Sequence, residues 1–319
     1  MTSKQDNELL TRTNAGTPMG DLMRRYWIPA FLSSEIPSPD CPPAQIRLLG
    51  EELVAFRDSD GRIGLLDEHC SHRGTSLFYG RNEECGLRCI YHGWKYDVEG
   101  HVLDTPAEPA DSNFKTKLRH PSYPTHEVNG IVFAYLGPRE KMPLFPNHEW
   151  ASVPLDHAYV TKVLQDCNYL QGLEGECDSA HLSFLHRMFK TNNFSRMDTV
   201  PHYETEDTDF GVRMIATRNA GEGKSYVRVS SFIMPVGSAV PVGPGSEDEG
   251  GPDGFEVHFY TPADDYHSWR FDFGFRRSRA VGIPDVHRAP HIGPDFRKYA
   301  NASNHYRSEE RRVGKECRL

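Results

Sequence analysis

The chain has 319 residues, of which 37% are hydrophobic, 25% charged and 11% aromatic, with a formal net charge of −9. That is enough apolar material for one large core or two ordinary ones, and it excludes a disordered chain. No run approaches 18 apolar residues, which excludes a membrane-spanning helix, and an acidic chain without a basic stripe excludes a dedicated nucleic-acid binder. The polar start Met1-Thr2-Ser3-Lys4 lacks the apolar stretch of a secretory signal. The seven cysteines (Cys41, Cys70, Cys85, Cys89, Cys167, Cys177 and Cys317) are odd in number and sparse. They point to reduced thiols in the cytoplasm rather than a disulfide framework.

In chain order, Thr17-Pro18 pairs an N-cap with a proline at the first helical position, so a short helix is expected over 18–25, within an N-terminal arm of residues 1–26. From 27 to 136 the texture is β. Short runs at 45–49, 52–56 and 131–135 are punctuated by the turn dipeptides Asp60-Gly61, Glu99-Gly100 and Asn129-Gly130. The proline-rich stretch 138–154 reads as a crossover into a second domain. Residues 166–189 form the best helix candidate. The segment 236–254, rich in Gly, Pro and acid, reads as a loop between strands and a candidate lid. Beyond it Phe255, Val257 and Phe259 share one strand face. Trp269, Phe271, Phe273 and Phe275 share another, opposite Arg270, Asp272 and Arg276.

Two segments carry the first chemical signal: Cys70-Ser71-His72-Arg73-Gly74 and Cys89-Ile90-Tyr91-His92-Gly93-Trp94. A structural zinc site would set two Cys on one knuckle and two His on the other. Here each loop supplies one of each. That suits a two-iron cluster in which one iron takes both thiolates and the other both imidazoles. Cys85 is off this pattern and reads as a small buried apolar side chain.

The helix candidate carries the second signal. At helical spacing Tyr169, Leu173, Cys177, Ala180 and Phe184 form an apolar face. Asn168, Gln171, Glu174, Asp178 and His181 form a polar stripe that holds no Lys or Arg, unlike an ordinary solvated face. His186 lies five residues beyond His181, so the helix must bulge or end if both bind one metal. Two imidazoles and a carboxylate make the facial triad of non-haem Fe(II) oxygen enzymes, which need electrons delivered singly.

Together with Asp178-x-x-His181-x-x-x-x-His186 and the later segment Thr261-Pro262-Ala263-Asp264-Asp265-Tyr266-His267-Ser268-Trp269, these loops resemble the α subunit of Rieske non-haem iron aromatic ring-hydroxylating oxygenases, phthalate dioxygenase-like branch, over roughly 17–306. The resemblance implies an α+β fold: a Rieske β-sandwich-like domain over 27–140 and a helix-grip (START-like) catalytic domain, incomplete, over 141–306. It implies that Cys70 and Cys89 hold one iron of a [2Fe–2S] cluster, that His72 and His92 hold the other, and that His181 and His186 hold a mononuclear Fe(II). Asp178 would serve catalysis as a bridge, accepting from His181 and from the His92 of a neighbouring subunit in a head-to-tail homotrimer or a multiple of one. Thr75 and Tyr91 stand where respiratory Rieske proteins carry disulfide cysteines, which implies the lower-potential type. Asn168 and Gln171 face the iron or simply pack.

The implied function is the terminal oxygenase of a multicomponent system. NAD(P)H electrons arrive through a separate reductase, and O2 attacks an aromatic substrate by dihydroxylation, monohydroxylation or O-demethylation. No nucleic acid or membrane takes part. The alternatives are a Rieske-type electron-transfer protein with an appended domain, or an inactive oxygenase fragment. A substrate carboxylate would find Arg213, Arg218 or Arg228, each of which also reads as a solvent-facing strand residue. The family's third iron ligand is an acid far downstream. None of Asp264, Asp265, Asp272, Asp285 or Asp295 stands in its place. Residues 307–319 resemble a translated sequencing adapter, so the expectation is a truncated chain with a non-native tail; independent genomic reads containing that tail would refute it.

Overall fold

The computed structural model describes residues 3–109, 111–185, 198–241, 253–281 and 292–298. His186, Asp285, much of the loop expected over 236–254 and the tail 307–319 lie outside the described residues. The chain divides into two compact units. One comprises Met1–Asn147 with Thr261–Tyr266, the other His148–Tyr260 with His267–Leu319.

The first unit opens on a helix that the sequence reading had not anticipated, α1 (Lys4–Thr11), whose N-cap Ser3 hydroxyl accepts from Asp6 N at 3.1 Å. The expected helix follows as α2 (Pro18–Met23), with Thr17 Oγ1 accepting from Gly20 N at 3.2 Å. Buried Arg24 ties this arm down. Its guanidinium donates to Glu51 at 2.6 and 3.1 Å and to the carbonyls of Thr13, Gly20 and Leu49. A buried cation is tolerated because its donors are paired in this way.

Short strands make up the rest of this unit: β1 (Ile28–Leu32), β2 (Ala44–Leu48), β3 (Glu51–Arg57), β4 (Ile63–Asp67), β5 (Arg81–Glu83), β6 (Gly86–Arg88), β7 (Lys95–Tyr96) and β8 (Val102–Asp104). After the short α3 (Phe114–Lys117) come β9 (Thr125–Val128) and β10 (Ile131–Ala134). They pair as antiparallel sheets in the orders β1-β10-β9, β2-β3-β4 and β5-β6-β7-β8. Asn129 (φ 46°) and Gly130 (φ 84°) give the β9–β10 hairpin its two positive φ values, as the dipeptide predicts. Cys85 corrects its sequence reading. With Glu84 it forms the left-handed tip of the β5–β6 hairpin (φ 48° and 59°), where it is only half-buried.

The second unit holds β11 (Ala158–Gln165), α4 (Tyr169–Cys177), β12 (His202–Thr208), β13 (Gly211–Asn219), β14 (Ser225–Ile233), β15 (Gly237–Pro241), β16 (Phe255–Pro262) and β17 (Ser268–Phe275). The strands form a seven-stranded sheet in the order β11-β17-β16-β15-β14-β13-β12. The expected period-two alternation is met only in part: Val257, Phe259, Phe271, Phe273 and Phe275 are buried, and Trp150 packs on Phe259 and Phe273, but Phe255 and Trp269 are half-buried and His258 and Tyr260, on the other face of β16, are buried as well. Helix α4 lies against β14 and β15, which is the helix-on-sheet arrangement of a helix grip.

Two expectations need correcting. The helix expected over 166–189 ends at Cys177, because Asp178 turns extended (φ −84°, ψ 118°), and a 3-10 turn (Ala180–Ser183) follows. Phe184, assigned to the apolar face, is therefore 67% exposed. Part of the loop expected over 236–254 is strand β15, which pairs with both β14 and β16.

Gly172 is where α4 meets the sheet most closely, since a Cβ there would lie 2.1 Å from the Tyr260 ring. Gly172→Ala should lower stability by about 1–3 kcal/mol through overpacking, despite alanine's roughly 1 kcal/mol advantage in helix propensity. Urea melts of the two chains test this; a more stable alanine variant would show that α4 stands off the sheet.

Candidate functional site

The two cysteine–histidine loops are the same backbone turn used twice. Gly74 N donates to Cys70 O at 2.8 Å and Gly93 N to Cys89 O at 3.1 Å. Cys70 N donates to Thr75 O at 3.0 Å and Cys89 N to Trp94 O at 2.8 Å. Both glycines are left-handed, with φ of 70° and 75°, which a side chain would resist. At Gly93 a Cβ would also sit 2.7 Å from Pro106 Cγ. The histidine occupies the third position of one turn and the fourth of the other. The sequence spacing thus differs while the backbone does not.

Cys70, His72, Cys89 and His92 come together around one pocket, also lined by Arg73, Thr75, Tyr91 and Trp94. Both cysteines are 3% exposed. The His72 and His92 rings meet edge to face at 4.5 Å, and His72 stacks on Trp94 at 4.8 Å and 6°. Burial, then the proximity of His92, holds the His72 pKa below its ordinary value, which favours the neutral ring. Burial pushes the Cys89 thiol up, while the backbone N–H groups of Tyr91 and His92 oppose that shift. Tyr96 Oη lies 3.0 Å from Cys70 Sγ. Buried Tyr96 keeps its proton, because burial and then Cys70 raise its pKa. Its phenolic proton is thus available to the Cys70 sulfur.

These residues fit a two-iron cluster. His72 Nδ1 is buried with no hydrogen-bond partner among the described residues, an acceptor awaiting a ligand. Among the described residues, the donors that do crowd within 4.8 Å of one another are Asp58, Asp60 and Cys85. The Asp58 carboxylate there is already engaged by Asp60 N, Arg62 N and the Arg62 side chain. The two thiols and two imidazoles are thus not crowded as a single tetrahedral ion would require. The set is two S and two N donors, one of each per turn.

In the second unit Asp178 and His181 do meet, but in the turn beyond α4 rather than on one helix face. Asp178 Oδ2 lies 3.3 Å from His181 Nδ1, and its carboxylate accepts from Ala180 N at 2.7 Å and His181 N at 3.2 Å. Burial works against its charge, but these backbone donors and the imidazole pull its pKa below the ordinary range. His186 lies outside the described residues. Asn168 serves as the N-cap of α4, and Gln171 is exposed beside Glu174.

Several contributors to this region were missed by the sequence reading. Tyr203 accepts from Ser179 N at 3.0 Å and donates to Asp178 at 3.3 Å. Arg218 is not solvent-facing as expected: it is 1% exposed and donates to Ser179 O at 2.6 Å and Ser179 Oγ at 3.0 Å. Arg213 does face outward, paired with Glu206 at 2.6 Å. Glu176 fastens α4 to the sheet through Tyr260 Oη (2.8 Å), His258 Nδ1 (2.9 Å, an off-axis ion-pair contact) and Arg270 (3.7 Å). Asp272 bonds Arg270 at 2.6 Å. The alternation Glu256, His258, Tyr260 along one strand face was the legible signal for this network. Of the other acids considered as iron ligands, Asp264 pairs with Arg47, Asp265 with Arg12 and Thr13 N, and Asp295 with Arg297.

A family model described as Rieske [2Fe-2S] domain matches residues 26–124, and one described as LigXa C-terminal domain like matches 134–247. The chain is 43% identical over 260 residues to the phthalate 4,5-dioxygenase oxygenase subunit of Pseudomonas putida, covering 76% of this chain and 58% of that protein. It is 37% identical over 288 residues to the 3-chlorobenzoate-3,4-dioxygenase oxygenase subunit of Comamonas testosteroni, covering 88% of this chain and 65% of that one. The chain thus spans about three-fifths of the length of these curated relatives. Among solved structures, dicamba monooxygenase bound to dicamba superposes with a TM-score of 0.66 at 20% identity, over 80% of this chain and 78% of that one, a likeness of fold.

The buried network of the second unit makes stability depend on pH. His258 is raised from 6.5 to about 9: burial opposes its charge, but Glu176 and then Glu256 override it. Glu176 falls from 4.5 to about 2, because His258 and Arg270 outweigh its burial. The His258 contribution is complete below pH 6.5 and lost as pH rises through 9; that of Glu176 is present above 4.5 and lost as pH falls through 2. His258→Gln should cost about 3 kcal/mol near pH 5–6, with the gap closing towards pH 9 in thermal melts. A gap constant across that range would remove the charged role of His258.

Proposed function

This chain belongs to the Rieske non-haem iron oxygenase family, and from that membership we propose that it is the oxygenase component of a multicomponent system that uses O2 and reductase-supplied electrons to hydroxylate or O-demethylate an aromatic substrate. The observation that carries this reading is the presence, in one chain, of the four-donor pocket and of an imidazole held by a carboxylate on a helix-on-sheet scaffold. A carrier of electrons alone has no use for the second.

In this reading Cys70, Cys89, His72 and His92 hold the [2Fe–2S] cluster, and His181 and His186 hold the mononuclear Fe(II). The cluster supplies single electrons, drawn from NAD(P)H through the reductase, and the iron supplies the site for O2 chemistry. The protein's own residues do the positioning. Asp178 accepts from His181, fixing its tautomer and ring plane. Tyr203 and Arg218 hold the Asp178–Ser179 backbone from β12 and β13. The Asp178 side chain remains 45% exposed. That free face supports its role as a bridge to the His92 of a neighbouring copy in a head-to-tail homotrimer or a multiple of it. The sparse cysteines, free among the described residues, support a cytoplasmic setting.

The test uses the product of the gene's full reading frame, reconstituted with iron and sulfide. The expected content is three irons and two sulfides per chain, with O2-dependent conversion of a member of a panel of aromatic acids and methoxyarenes. His181→Ala should lose one iron and all conversion. Asp178→Asn should keep the cluster and lower turnover about 10–100-fold. Two irons and no product from the unmodified protein would instead support an electron-transfer protein.

A further inference from the structure

His120 is buried, 1% exposed, and lies behind the first cluster turn. Its Nε2 is 2.8 Å from Asp67 O, a group that can only accept, so Nε2 carries the proton. The ring is neutral, as burial lowers its pKa. Nδ1 is then an acceptor, and at 2.7 Å it takes the hydroxyl proton of Ser71, the residue between Cys70 and His72. Tyr96 Oη reaches Sγ of Cys70, the residue before Ser71, at 3.0 Å. The His120 ring packs directly on the Tyr96 ring, at 4.5 Å and 32°. The imidazole therefore supports the phenol through the ring face and holds the turn residue next to Cys70 through Ser71.

His120 is itself held in place. Its backbone N donates to Gly100 O at 2.8 Å, and any Cβ at left-handed Gly100 would lie 2.1 Å from His120 O. The chain from Ser71 to His120 to the Asp67 carbonyl has a fixed direction, the hydroxyl donating to Nδ1 and Nε2 donating to the carbonyl, and the phenol that meets Cys70 Sγ lies against that fixed ring. A hydrogen bond donated to a cluster sulfur stabilises the more negative, reduced state. Whatever aims the phenol therefore sets how readily the cluster accepts an electron.

We propose that His120 is a positioning residue for the [2Fe–2S] cluster, which raises its reduction potential by holding Ser71 and Tyr96 so that the phenolic proton stays on Cys70 Sγ. This rests on the assignment of the cluster to Cys70, Cys89, His72 and His92. The iron and sulfide content of the unmodified reconstituted chain tests that assignment separately.

The experiment is a dye-mediated redox titration of the reconstituted full chain, followed by electron paramagnetic resonance. His120→Phe keeps a ring against Tyr96 but removes both hydrogen bonds. It should load two irons and two sulfides and titrate at a more negative potential than the parent. His120→Asn, which restores an acceptor to Ser71, should recover most of the shift. Tyr96→Phe should shift the potential in the same direction, and adding His120→Phe to it should cause no further change, since His120 acts through the phenol. A parental potential in His120→Phe, or additive shifts in the double variant, would overturn the inference while leaving the cluster assignment standing. If His120→Phe takes up no cluster, Ser71→Ala severs the same link and carries the same test, a parental potential again being the overturning result.

Discussion

A cysteine whose carbonyl is closed four residues later by a glycine in the left-handed region is the constraint on which the first unit depends. The turn appears at Cys70–Gly74 and again at Cys89–Gly93, with the same pair of backbone hydrogen bonds each time. Repeating one turn brings two thiols and two imidazoles around one pocket, without any residue having to reach. The three small sheets then serve to hold the turns. Leu66, Leu77, Leu87, Val54 and Phe56 pack with Cys70, Cys89, Trp94 and Tyr96 in one buried cluster, so the two cysteine–histidine turns grow directly out of the hydrophobic core. Rigid tips matter because a site that must exchange electrons rapidly cannot reorganise at each transfer.

The second unit solves a different problem, that of presenting an imidazole at the end of a helix. Helix α4 stops at Cys177 because the Asp178 carboxylate finds backbone N–H groups beyond it, and that same carboxylate then holds His181. The ending and the chemistry share one side chain. Two strands fix the turn from outside through Tyr203 and Arg218, and Glu176 anchors the last helical turn to the sheet through His258, Tyr260 and Arg270. The buried charges are affordable only as a paired set, which is why removal of one partner is felt across the network.

Much of this was legible in the sequence, for identifiable reasons. The Cys-x-His and Cys-x-x-His loops, the Thr17 cap and the Asn129-Gly130 hairpin are local rules, complete within a few residues, and they hold. Strand alternation reads directly at Phe271, Asp272 and Phe273 but not on β16, where His258 and Tyr260 are buried on the face that meets Glu176 of α4. What was not legible depends on contacts between distant segments. The helix expected over 166–189 ends early because Asp178 competes for backbone donors, which periodicity does not register. Arg218 looked like a surface residue until Ser179 was placed against it. Cys85 looked like core because its composition says so, but the Glu84–Cys85 tip demands positive φ and half-exposes it. His120 carried no motif at all. Its role is visible only once Ser71 and Tyr96 are seen on either side of it.

The most direct measurement is pulsed electron paramagnetic resonance of the dithionite-reduced, reconstituted chain labelled with ¹⁵N at histidine. Two inequivalent histidine nitrogens should couple strongly to the cluster, and His72→Cys should leave one. A reduced cluster without any histidine nitrogen coupling would mean that the two turns do not clasp a two-thiolate, two-imidazole centre, and the assignment built on them would fail.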